Sequence, residues 1–375
     1  MKKIILLTLL STNLFASDYE SSWGNKLADN KLKIGGRMQG IAYSSDENQD
    51  FYLRRVRLNI AYKPWENHQV VYDIRNDNAN VTDKGEGKFQ IGDAYWEIKL
   101  PEISWIKNIR FFRAKVDVSY SQTSSSKHLF NPNRTHTSEK ASDFVVHNRR
   151  ATNIQLNGHY KNLAYQAVIS DGVQSGDLDD LSGNEVDAIE KQKFSYGGKL
   201  RYYFIGDANK NAVQDTFYGN LETFSLGLGH FRNDKISITN SNSSLSEVSF
   251  ARDMTNLELS MAYHRFRLLS EYFEFNGDIV DLTATSKDDM FSRSKGHYAQ
   301  LEYYFGNWAP FVMYETFEKN VDLKDSTLNS NAVGINFYEM LDARRYGLVY
   351  KETKYDQNLN KNNDFEIYAY IMLNF

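Results

Sequence analysis

The sequence predicts an all-β protein: a transmembrane antiparallel β-barrel of about sixteen strands whose connections are long at one end and tight at the other. Three observations predict it. Apolar and polar residues alternate with period two in segment after segment, which a helix cannot satisfy. Long and short connections also alternate along the chain, the arrangement of outer-membrane barrels with both termini at the short-turn end. Finally, 25 Tyr and 23 Phe stand against 4 Pro in 375 residues, a balance that favours long strands.

The elements follow from the alternation in chain order. From Asn30 to Tyr43, Leu32, Ile34, Met38 and Ala42 share one face, with Lys33, Arg37 and Gln39 on the other. From Phe51 to Tyr62, Val56, Leu58, Ile60 and Tyr62 alternate with Arg55, Arg57 and Asn59. The pattern predicts strands near 31–43, 50–63, 67–77, 89–100, 108–118, 149–157, 162–170, 194–204, 221–231, 256–263, 265–275, 297–305, 308–317, 331–338, 343–352 and 364–375. Most are long enough to cross a bilayer at a tilt. Loops near 44–49, 78–88, 119–148, 171–193, 232–255, 276–296, 318–329 and 353–363 alternate with short links such as Pro64-Trp65-Glu66 and Gly306-Asn307. The connection near 205–220 fits this rule least well. Tyr43, Tyr62, Trp65, Trp105 and Trp308 at strand ends suit interfacial aromatic girdles.

Residues 1–16, MKKIILLTLLSTNLFA, have two lysines, a short apolar run and a small residue at the end, the layout of a secretory signal peptide cleaved after Ala16. Residues 17–30 form a short periplasmic segment and 31–375 the barrel. After residue 16 no stretch approaches the ~20 apolar residues of a membrane helix. No cysteine is present, which excludes disulfide scaffolds, thiol catalysis and Cys-ligated metals. A net charge of -4 gives no general pull toward nucleic acid. No phosphate-loop, dinucleotide or zinc-hydrolase motif appears, so no catalytic residue, metal ligand or cofactor is expected.

The ending Ile367-Tyr368-Ala369-Tyr370-Ile371-Met372-Leu373-Asn374-Phe375 resembles the last strand of bacterial outer-membrane proteins, in which a final Phe is part of what the barrel-assembly machinery recognises. A more specific resemblance lies in Lys33-Ile34-Gly35-Gly36-Arg37-Met38-Gln39, Phe51-Tyr52-Leu53-Arg54-Arg55-Val56-Arg57-Leu58 and Asp93-Ala94-Tyr95-Trp96-Glu97. These segments are similar to the phosphate-selective porin O and P family. The resemblance implies a sixteen-stranded homotrimeric porin of the outer membrane, set among lipid and lipopolysaccharide, whose third loop folds into the pore. It also implies that Arg37, the Arg54-Arg55 pair and Asp93 occupy constriction positions.

A pore selects ions by the sign and spacing of side chains at its narrowest ring. Alternation points Lys33, Arg37, Arg55, Arg57, Arg75 and Lys115 inward, with Asp73, Asp93 and Glu97. Arginine suits anion transport because its planar guanidinium offers several donors to phosphate or carboxylate oxygens. Strict parity puts Arg54 on the lipid face unless a bulge turns it inward or it sits at a subunit contact. In the third loop, Arg134 is the candidate for an arginine at the constriction. Lumen arginines and carboxylates also brace barrel walls, and the acidic segment Asp171 to Glu190 would repel anions at the mouth. Lumen glutamates Glu258, Glu271, Glu302, Glu315 and Glu366 weaken the basic balance of the second half. The expectation is passive diffusion of small hydrophilic solutes, chiefly anions such as phosphate. A general or cation-preferring porin, an adhesin or receptor barrel, and an outer-membrane phospholipase are the alternatives.

Overall fold

The computed structural model describes residues 31–46, 48–79, 89–124, 128–146, 151–173, 188–208, 222–239, 248–279, 291–339, 343–359 and 361–375. The expected signal peptide with Ala16, the segment 17–30, most of the acidic loop and most of 205–220 lie outside the described residues.

Among the described residues the period-two segments form one antiparallel sheet of seventeen strand segments. They are β1 (Leu32–Ser45), β2 (Gln49–Tyr62), β3 (His68–Ala79), β4 (Gln90–Lys99), β5 (Ile106–Arg113), β6 (Thr152–Tyr160), β7 (Leu163–Ser170), β8 (Ala188–Gln192) and β9 (Ser195–Ile205). Then come β10 (Thr223–Thr239), β11 (Val248–Tyr263), β12 (Phe266–Ile279), β13 (Phe291–Tyr303), β14 (Trp308–Glu318), β15 (Thr327–Glu339), β16 (Arg344–Tyr355) and β17 (Asp364–Asn374). Both β8 and β9 pair with β10 and only two residues part them, so they make one stave and the barrel has sixteen. β1 pairs with β2 on one edge and β17 on the other, which closes the sheet and leaves no edge strand.

The faces are inverted relative to a water-soluble barrel. Leu226, Leu228, Leu257, Val312, Val333, Leu348 and Ile367 stand exposed on the outside, whereas Arg252, Glu258, Glu271, Glu302 and Arg345 are buried within. Lipid solvates the first set, and only a polar or filled lumen accommodates the second. In β11 the alternation of buried and part-exposed residues runs the whole strand. Two-residue links after β6 and β11 carry positive φ at Lys161 (51°) and His264 (50°), which turns the chain back within a single pair of residues.

The described residues 114–124 and 128–146 leave the wall after β5 and fold into the lumen. They carry α1 (Tyr120–Thr123), capped by the Ser119 hydroxyl, and α2 (His136–Asp143), capped by Thr135. Val116, Val118, Tyr120, Phe130, Phe144, Val145 and Val146 of this loop pack with Phe231, Phe273, Phe275, Phe317 and Tyr370 of the wall in one hydrophobic cluster. The loop thus fills one side of the barrel.

Several boundaries differ from the sequence expectation, among them β8 inside the expected loop 171–193 and the facing ends of β12 and β13 inside the expected loop 276–296. Strand five stops at Arg113 rather than near 118, because from Ala114 the chain turns inward. Strands β10 and β11 run on to Thr239 and begin at Val248, where a loop at 232–255 was expected. Ile236, Ile238, Val248 and Phe250, with Val173, form a separate apolar cluster that holds this extension together. The polar Arg232-Asn233-Asp234-Lys235 stretch hides the alternation that resumes after it.

Candidate functional site

The arginine-bearing wall is built by β1–β3. Ile34, Met38 and Leu58 lie exposed on the outer face, so parity directs Arg37 and Arg57 into the lumen. Register sets Arg37 opposite Arg57, and Arg57 opposite Arg75, in one transverse row across three strands. The next lumen row sets Gln39 opposite Arg55, whose Nη1 donates to Gln39 Oε1 at 2.6 Å. Here the register steps from Gln39–Arg55 to Gly40–Leu53, leaving Arg54 as an extra residue. That β-bulge re-aims the side chain: Arg54 Nη1 donates to Asn133 Oδ1 of the inward loop. Arg37 Nε donates to Asn374 Oδ1 at 2.8 Å. Lys33 sits lower on β1, exposed and opposite Ala61.

Arg75 is held differently. It is buried between Asp73 (2.9 Å) and Asp93, across a second bulge where Asp73 of β3 faces Gly92 and Asp93 of β4. Its charge is locally matched by those two carboxylates.

The opposite wall grips the inward loop by complementary polarity. Wall carboxylates take the loop's amides, and wall arginines take its carbonyls. Glu271 on β12 accepts from Ser119 Oγ (2.7 Å), Tyr120 N (2.9 Å) and Ser121 N (3.3 Å) at the start of α1. Glu315 on β14 accepts from Thr137 N at 2.6 Å and lies 3.5 Å from His136 at the start of α2. Arg345 Nη1 donates to Leu129 O at 2.5 Å, its Nη2 to Phe130 O, and Asn336 Nδ2 to the same Phe130 O at 3.0 Å. Arg267 Nη2 donates to His128 O, and its guanidinium lies over the Phe130 ring at 4.5 Å. Burial pushes the Tyr120 phenol above its ordinary pKa, so the ring enters the loop core uncharged. Arg134 is turned onto its own loop, with Nε on Ser121 O (2.9 Å) and Nη2 on Ser124 O (3.1 Å). Lys115, beyond the end of β5, donates to Gln122 O at 2.6 Å.

Beneath the loop, toward the short-turn end, a vestibule of about 460 Å³ is bounded by Tyr120, Thr123 and Ser124 above and by β4–β7 and β9 around it. Six cationic side chains line it (Lys99, Lys107, Arg110, Lys115, Lys199, Arg201) against three carboxylates (Asp93, Glu97, Asp117), so its field is positive. Lys199 and Arg201 are bonded to Glu258, each at 2.7 Å.

Arg110 was not singled out from the sequence. Extending strand five to 118 keeps Lys115 in phase with Phe111, and Phe111 faces outward while Arg110 and Phe112 face the lumen. The signal that finds Arg110 is the Asn108-Arg110-Phe112 alternation read from the strand's start. Glu271 and Arg345 carried no local motif; their partners in the loop lie 150 or more residues away.

No curated protein matches the chain. Solved structures do resemble it in fold. An anion-selective porin from Comamonas acidovorans is 10% identical with TM-score 0.61, covering 92% of this chain and 99% of that one. The outer membrane channel DcaP of Acinetobacter baumannii is 11% identical with TM-score 0.59, covering 92% and 97%. The trimer form of OmpT, an outer membrane protein of Vibrio cholerae, is 9% identical with TM-score 0.58, covering 92% and 99%. The family model for phosphate-selective porins O and P matches residues 33–372, nearly the whole barrel. The chain therefore belongs to the phosphate-selective porin O and P family and is a porin of the outer membrane.

Proposed function

We propose that this porin passes small hydrophilic anions, phosphate among them, and that the arginines of β1–β3 set its selectivity. The observation that carries this reading is an asymmetry of the lumen. Glu258, Glu271, Glu302 and Glu315, four of the five lumen glutamates that argue against anion preference in the sequence, are exposed by 3%, 1%, 0% and 0%, and the fifth, Glu366, is paired with Lys351 at 3.6 Å. All four are occupied by the inward loop or by neighbouring donors of the wall. Arg37, Arg54, Arg55 and Arg57 occupy the facing wall, where low-dielectric surroundings strengthen a guanidinium's field. Lys33 and Lys115 extend that positive lining below and beside the constriction, and Asp93 limits the contribution of Arg75. Arg134 serves by shaping the loop that narrows the pore.

The anion-selective neighbour from Comamonas acidovorans agrees in sign. Assembly as a homotrimer is supported by the trimer form of the Vibrio cholerae neighbour. Export by residues 1–16 with cleavage after Ala16, and recognition of Phe375 during barrel assembly, complete the reading.

The test is the double variant Arg55→Ala plus Arg57→Ala in a planar bilayer under a salt gradient. Anion preference should fall toward neutrality in proportion to the charge removed. A selectivity identical to the wild type would place the selecting charge elsewhere and overturn the reading.

A further inference from the structure

Three successive lumen rows of β4 and β5 line the vestibule: Lys99 opposite Asn108, Glu97 opposite Arg110, and Tyr95 opposite Phe112. Successive rows lie roughly 7 Å apart along the strands. Arg110 is fixed on two sides. Its Nε donates to Glu97 Oε2 at 2.6 Å, and its guanidinium lies 5.1 Å from the centroid of the Tyr95 ring. Among the described residues, neither Nη1 nor Nη2 of Arg110 has a hydrogen-bond partner, and its side chain is 36% exposed. A guanidinium oriented by a carboxylate on one edge and a ring on one face presents its remaining edge as a two-pronged donor, the geometry that planar oxyanions take.

The second feature is apolar. Porin lumens are polar, yet here a half-buried tyrosine ring borders the same cavity as that edge, backed by buried Phe112. A spherical inorganic anion makes no use of a ring. A ligand with a planar apolar body and an oxyanion uses both, and about 460 Å³ accommodates one.

We propose that Arg110 and Tyr95 form a subsite for ring-bearing organic anions, aryl carboxylates in the first instance, on the short-turn side of the constriction. This rests on the reading of the pore as anion-conducting and narrows its substrate class. The oxyanion takes Nη1 and Nη2 of Arg110 in a two-pronged contact, and the ring lies against Tyr95.

The experiment measures interruption of single-channel KCl current by benzoate and by acetate, which share a carboxylate and differ in the ring. Wild-type current should be interrupted by benzoate at roughly a fivefold lower concentration than by acetate. Tyr95→Ala should bring that ratio to about one while leaving the reversal potential in KCl unchanged. Arg110→Gln should weaken both carboxylates, and Arg110→Lys should restore the charge without the fork and recover them only in part. Equal action of benzoate and acetate on the wild type, or a ratio unmoved by Tyr95→Ala, overturns the subsite. A cation-selective reversal potential in KCl alone overturns the anion-porin reading instead, so the two failures are distinct. If Tyr95→Ala gives no channels, Tyr95→Leu, which keeps bulk and removes the ring, supplies the same comparison.

Discussion

Gly92 has no Cβ, and one placed there would collide with the Arg75 guanidinium. That gap lets Arg75 settle between Asp73 and Asp93 at the β3–β4 bulge. Arg75 therefore differs from its row mates Arg37 and Arg57: deleting it removes one positive charge and uncovers two negative ones. Arg75→Ala should lower anion preference more than Lys33→Ala, and should lower stability by removing one of the partners of buried Asp73. The paired reversal potentials check this; equal shifts for the two variants would contradict it. At this scale the sequence was legible only as far as parity held. Alternation gave Arg37 and Arg57 their face directly. It could not resolve Arg54, because a bulge is a property of two strands in register and needs Gly40 and Leu53 brought together. It missed Arg110, because an error of a few residues in where β5 ends shifted attention to the wrong phase.

The inward loop shows what a carboxylate can do once it is withdrawn from solvent. Glu271 takes two backbone amides and the Ser119 hydroxyl from the loop, with Tyr298 and Asn256 completing its shell from the wall. Truncating it leaves those donors without an acceptor, each worth about 1–3 kcal/mol when buried. Glu271→Ala should loosen α1, raise single-channel conductance and add open-channel noise, while Glu271→Gln, which keeps one acceptor oxygen, should fall between. Conductance and noise equal to wild type in Glu271→Ala would show that the loop holds without this contact. Phe130 is the corresponding apolar anchor, 1% exposed and set beneath the Arg267 guanidinium. A long third loop carrying Arg134 was visible in the sequence, but its docking was not. Its partners are scattered over β2, β7 and β9–β17, and the glutamates that bind it look from sequence like pore-lining charge.

The closed barrel has a seam between β1 and β17, and Gly35-Gly36-Arg37 lies on it. Gly36 N donates to Phe375 O at 2.7 Å, Phe375 N donates to Gly36 O at 3.1 Å, and the Phe375 ring covers the space a Gly36 side chain would need. With Arg37 on Asn374, two consecutive residues of the first strand bind the last two of the chain. Gly36→Val should displace the ring and lower stability by about 1–3 kcal/mol, seen as a lower temperature for the shift of the folded band in a detergent gel; an unchanged temperature would contradict the seam contact. The number and order of the staves were legible throughout, because each crossing repeats the same two-face requirement. The lumen's electrical asymmetry was not, since net charge and charge counts average over residues that the fold hides. The central claim is that this asymmetry makes the pore prefer anions. Its most direct test is the zero-current potential of the wild-type channel between unequal KCl solutions. A potential of the anion-permeable sign is the expected result, and one of the cation-permeable sign would contradict the account.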